Sequence, residues 1–92
     1  MRVRVLESKT FVLRDLEGLH ARNAAKVVMA VQGGGDVKVT VRCGGVEADG
    51  ENILELMSLN ARYGAELTVT ALGERAREIL EKVEKAVNGS MI

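Results

Sequence analysis

A single histidine stands in this chain, and the residues around it decide what it can do. His20 follows Gly18-Leu19 and immediately precedes a run whose spacing predicts a helix from Arg22. At that place the unpaired N–H groups of a first helical turn and the positive end of the helix dipole favour an anion. A neutral imidazole there is a nucleophile, and the guanidinium of Arg22 adds a cation two residues on. A nucleophile, a bundle of N–H donors and a cation around one point suit reversible phosphoryl transfer. By position alone, a histidine before a helix is more often an exposed cap and a lone arginine an ordinary surface charge.

The elements that must position His20 can be read from periodicity. From Lys9 to Arg14, Phe11 and Leu13 alternate with polar residues, which predicts a half-buried strand with Val12 exposed or at an edge. Asp15-Leu16-Glu17-Gly18 then breaks the pattern. From Arg22 to Gln32, Ala24, Val27, Val28 and Val31 share one helical face, and Gly33-Gly34-Gly35 ends it with a left-handed cap. Val37, Val39 and Val41 face inward from a second strand over 36–42. Gly44-Gly45 predicts a hairpin into a short third strand over Val46–Ala48.

Asn52 is the expected N-cap of a short helix reaching Leu59, with Glu55 three residues on resembling a capping box. Leu67, Val69 and Ala71 mark the fourth strand. Ala76, Ile79, Leu80, Val83 and Val87 form the apolar stripe of a final helix that ends at Asn88-Gly89. The order β-α-β-β-α-β-α predicts an α+β domain, an antiparallel sheet covered by helices on one face.

Composition narrows the function. The 92 residues make a single domain, 1–92, too small to divide into two units that each bury a core. Thirteen basic and 13 acidic side chains balance, and aromatic rings are nearly absent, which speaks against nucleic-acid or membrane-surface binding. The lone Cys43 permits no intrachain disulfide, and no apolar segment is long enough for a signal or membrane span. The expectation is a cytoplasmic monomer without cofactor or metal: one His and one Cys, separated by a helix and a strand, give no recognisable ligand spacing.

Gly18-Leu19-His20-Ala21-Arg22-Asn23-Ala24-Ala25 closely resembles the active-site signature of the HPr phosphocarriers, in which Gly-Leu-His-(Ala/Thr)-Arg-Pro-Ala-Ala opens the first helix. Asn52-Ile53-Leu54-Glu55-Leu56-Met57-Ser58-Leu59 looks like the family's second helix. Gly64, the strand to Ala71 and the last helix fall where the family places them, and residues 1–7 look like an N-terminal extension. The resemblance implies the HPr-like open-faced β-sandwich, four antiparallel strands with three helices on one face. It further implies that His20 is phosphorylated on Nδ1 by enzyme I, which draws on phosphoenolpyruvate, and passes the group to a sugar-specific IIA component. In that role Arg22 and the backbone of Ala21, Arg22 and Asn23 hold the phosphate. The protein is then a stoichiometric carrier of the sugar phosphotransferase system, with no turnover of its own.

The family's partner surface maps to Ile53, Leu54 and Met57. Leu56 and Leu59, with Ile53, can satisfy the core, and Leu54 and Met57 are expected to be exposed for docking. Two positions depart from the pattern. The family proline is Asn23, which restores a backbone donor and loosens a pre-set φ angle. The position where many members carry a regulatory serine is Asn52, which has no hydroxyl, so that control is expected to be absent.

The rival reading is an HPr-like regulatory module that binds proteins with little or no phosphotransfer. Asn23→Pro should separate the two: a weakened carrier gains phosphorylation rate and a binding module does not. An independent enzyme is a remoter rival, since the Gly run over 33–35 follows a helix and lacks the ending of a phosphate-binding loop.

Overall fold

The computed structural model describes residues 4–89. Seven elements follow in the expected order: β1 (Val5–Val12), α1 (Ala21–Gln32), β2 (Val37–Cys43), β3 (Val46–Asp49), α2 (Ile53–Ser58), β4 (Glu66–Gly73) and α3 (Ala76–Asn88). The strands form one antiparallel sheet in the order β1-β4-β2-β3. The register sets Phe11 opposite Leu67, Val41 opposite Val69 and Ala48 opposite Val41, so the buried residues of successive strands share one face. That face carries Val37, Val39, Leu67, Val69 and Ala71, all buried, and the three helices cover it. Burying each of these valines and Leu67 contributes about 1.5–3 kcal/mol, which lets a core nearly free of aromatic rings suffice.

The opposite face is open and polar. Ser8 pairs with Thr70 and Thr10 with Thr68 through their hydroxyls, and Arg42 pairs with Glu47. The edge strand β1 keeps charge even on its inward side. Lys9 meets Glu84 and Glu7 meets Arg77, both partners on α3. Charges turned inward on an edge strand discourage pairing with another chain.

The apolar stripes of α1 and α3 are buried as the spacing predicted: Ala24, Val27, Val28 and Val31 in one, Ala76, Ile79, Leu80, Val83 and Val87 in the other. Most boundaries shift by a residue or two, and three of the differences bear on the fold. First, β1 begins at Val5, and Val5, Leu6 and Glu7 pair with Gly73, Leu72 and Ala71. Part of the expected 1–7 extension is therefore sheet; residues 1–3 lie outside the described residues. Leu13, expected within that strand, lies just past its end, yet is fully buried.

Second, Gly33 is right-handed (φ −75°), and the left-handed glycine is Gly35 (φ 73°). The helix ends with Gly33 and Gly34 donating to the carbonyls of Met29 and Val31, so the reversal comes two residues later. Third, α3 starts at Ala76 and not at Glu74, after a turn with no side-chain cap. Gly44 and Gly45 both have positive φ, the conformation of a tight hairpin turn. Among the described residues no helix is long and apolar enough to cross a membrane.

Candidate functional site

The loop over 13–20 carries His20 from the end of β1 to α1, and backbone bonds lace it to the segment before β4. Leu13 donates to Ala65 at 2.8 Å, Gly64 donates back to Leu13 at 2.8 Å, and Leu19 donates to Ala61 at 2.9 Å. Gly18 has φ 74°, and a Cβ there would fall 2.5 Å from the Ala61 carbonyl oxygen. Only glycine accepts both that conformation and that approach. From the other side Asn88, buried at the end of α3, accepts from the Arg14 N–H at 2.9 Å and donates to the Val12 carbonyl at 2.8 Å.

Within this frame His20 is the N-cap of α1, its backbone extended at φ −136°. Its Nδ1 accepts from the Arg22 N–H at 3.2 Å. Asn23 answers reciprocally: its Oδ1 accepts from the His20 N–H at 2.8 Å, and its Nδ2 donates to the Gly18 carbonyl at 2.9 Å. Asn23 is buried, so the residue in place of a proline is a clamp bonded through both its amide oxygen and its amide nitrogen. The Arg22 side chain is exposed on the rim of a groove that also holds His20, Lys26 and Lys85. Three cations beside one imidazole suit a doubly charged phosphoryl group.

The other ring nitrogen meets acid. His20 Nε2 lies 3.2 Å from Asp15 Oδ2 and 3.9 Å from Glu17 Oε1. Asp15 sits in a tight turn, its Oδ1 accepting from the Glu17 N–H at 2.9 Å and its carbonyl accepting from Gly18 at 2.9 Å. The Glu17 N–H is the main influence holding the Asp15 carboxyl below its usual range; partial burial opposes it, and His20 and Arg22 reinforce it. Asp15, Glu17 and His20 offer ligand atoms within 4.8 Å of one another, and could contribute to a divalent-cation site. The Asp15–His20 hydrogen bond already accounts for their approach.

The structure brings His20, Arg22 and the backbone of residues 21–23 together at the start of α1. It adds Asp15, Glu17, Lys26, Lys85 and Asn88, which sequence reading did not single out as site residues. Asp15 had a legible signal: Asp at the first and Gly at the fourth position of a turn folds the chain back on itself. Asn88 and Lys85 had none, because they reach the loop from the far end of the chain.

On α2, Asn52 is the N-cap, its Oδ1 accepting from the Glu55 N–H at 3.0 Å. Glu55 returns to the N–H of Asp49 at 3.0 Å rather than to that of Asn52, which makes a wider loop than a capping box. Leu56 and Leu59 are buried. Leu54 is 79% exposed and Ile53 and Met57 are each 38% exposed, so all three face outward; of the two places offered to Ile53, the outer surface and the core, it takes the outer one. Cys43 is half-buried at the end of β2.

Residues 7–89 match the family described as "PTS HPr component phosphorylation site". The phosphocarrier protein HPr of Chlamydia muridarum is 27% identical over 81 residues, 88% of this chain and 77% of that protein. A multiphosphoryl transfer protein of Salmonella typhimurium is 33% identical over 82 residues, 87% of this chain, and the chain spans only 22% of that longer protein. The crystal structure of a phosphocarrier protein HPr from Bacillus anthracis superposes with a TM-score of 0.81 at 27% identity, covering 89% of this chain and 96% of that one. A four-stranded open sheet under three helices, with a histidine capping the first of them, is the phosphocarrier class of the sugar phosphotransferase system. This chain belongs to the HPr family.

Proposed function

We propose that His20 accepts a phosphoryl group on Nδ1 from phosphorylated enzyme I and passes it to a IIA component, in the cytoplasm and without turnover of its own. The observation that carries this reading is the placement of Nδ1. It lies over the first turn of α1 against the Arg22 N–H, while Nε2 is engaged by Asp15. In transfer, the Nδ1 lone pair attacks phosphorus, and the N–H groups at the start of α1 with the Arg22 guanidinium receive the equatorial oxygens. The phosphohistidine is a covalent intermediate, and the chain is a shared substrate of two enzymes.

Both partners would dock over α2, where Ile53, Leu54 and Met57 lie exposed on a helix that packs against α1. The binding-module alternative drew on Asn23 as a sign of a relaxed motif. Asn23 is instead buried and bonded at both ends of its amide, which gives that alternative no support.

Incubation with phosphoenolpyruvate and the cognate enzyme I, followed by intact mass, tests the reading. The expected result is one added phosphate, acid-labile and absent from His20→Ala. No added mass on the folded wild-type chain overturns it.

A further inference from the structure

The two nitrogens of His20 have different partners, and their chemistry fixes where the ring proton sits. The Arg22 N–H, 3.2 Å from Nδ1, can only donate, so Nδ1 accepts and is bare. The Asp15 carboxylate, 3.2 Å from Nε2, can only accept, so Nε2 carries the proton. Asp15 is itself held, its Oδ1 by the Glu17 N–H and its carbonyl by the Gly18 N–H, each at 2.9 Å. Glu17, at 3.9 Å and exposed, lies beyond hydrogen-bond reach of the ring.

We propose that Asp15 is a positioning residue for phosphoryl transfer at His20. By holding Nε2–H it sets the tautomer and ring plane, turns the Nδ1 lone pair to the start of α1, and offsets the charge the ring gains on phosphorylation. The proposal rests on the phosphocarrier reading. As the Nδ1 lone pair forms the N–P bond, the donor's bond to phosphorus breaks and its electron pair stays with the donor. The Nε2 proton does not leave; it remains between ring and carboxylate, so the cationic phosphoimidazole faces an anion. The Arg22 N–H, released from the lone pair, turns to a phosphoryl oxygen. On delivery the N–P pair returns to Nδ1 and the original bond re-forms.

The experiment combines nitrogen NMR of the His20 ring with the rate of phosphorylation by phosphoenolpyruvate and the cognate enzyme I. It compares the wild-type chain with Asp15→Ala and Asp15→Asn. The neutral wild-type ring should carry its proton on Nε2. In Asp15→Ala the two tautomers should mix and phosphorylation should slow about tenfold, the scale of a charge-assisted bond in a partly exposed site. Asp15→Asn keeps an acceptor oxygen without the charge, and should keep the tautomer while its rate falls part of the way.

An Asp15→Ala chain with unchanged tautomer or unchanged rate overturns the proposal. Should that variant not fold, a wild-type rate in Asp15→Asn overturns it instead. No phosphate on the wild-type chain defeats the carrier reading and the proposal together. Phosphate on the wild type with an indifferent Asp15→Ala defeats the proposal alone.

Discussion

Two helices of this domain begin with a polar side chain folded over the first turn, and the two beginnings are built to different ends. At α1 the cap is the His20 ring, and Asn23 returns a bond to the His20 N–H and ties down Gly18 from a buried position. At α2 the cap is Asn52, bonded to Glu55, with both residues in solvent. At α2 a cap only starts a helix. At α1 the capping residue carries the chemistry, so a second, buried residue holds its backbone and leaves the ring to turn its two nitrogens to separate partners. The difference teaches that a helix start becomes a site when the cap's backbone is fixed by something other than the cap.

The largest test of that contrast removes the second residue. Asn23→Ala leaves the His20 N–H and the Gly18 carbonyl without their partner, and should cost about 2–3 kcal/mol because unmade buried bonds carry the full desolvation penalty. Chemical denaturation measures it, and the phosphorylation rate should fall with it. Asn23→Pro should behave alike in stability, about 2 kcal/mol lost, since the pre-set φ angle offsets only part of two missing bonds. It should not raise the phosphorylation rate, in contrast to what the family pattern alone suggests. A faster, equally stable Asn23→Pro chain would show that the buried amide contributes nothing to the site.

At α2 the matching change is milder. Asn52→Ala should cost about 1 kcal/mol, the usual scale of a lost exposed cap. Asn52→Ser should change stability by only a few tenths of a kcal/mol, because a serine hydroxyl caps nearly as well. It would also supply the hydroxyl that position 52 lacks. A regulatory kinase of the phosphotransferase system should then modify Asn52→Ser and leave the wild-type chain untouched at this helix, read by intact mass and fragment mapping.

These cases also show how far the sequence could be read. The apolar stripes of α1 and α3 and the alternation of β2 and β4 were legible because burial follows a period of 3.6 or 2. The pairing of α1's first turn with His20 was legible because capping is local. The start of β1 was hidden: Glu7 and Lys9 face inward yet are charged, and only α3, distant in sequence, supplies Arg77 and Glu84 to answer them. Asn88 was hidden for the same reason, reaching Val12 and Arg14 across nearly the whole chain. Ile53 was assigned both to the outer surface and to the core, because a helix of six residues is too short for its spacing to decide which side is buried.

The last expected effect concerns pH and belongs to the α1 end alone. Asp15 is held below the usual carboxylate range, chiefly by the Glu17 N–H. A carboxyl whose folded value is depressed binds protons more weakly folded than unfolded, so its contribution is complete above the unfolded value, about 3.9. It is lost as pH falls through the lower, folded value. Asp15→Asn should therefore be less stable than wild type near neutral pH, by less than Asn23→Ala, and the gap should close as the solution is acidified below about pH 4. Denaturation of both chains across that range measures it, with the Asp15 carboxyl followed by carbon NMR. A gap that persists unchanged into acid would mean that the carboxylate's charge is not what holds the turn. The comparison would then rest on Asn23 alone.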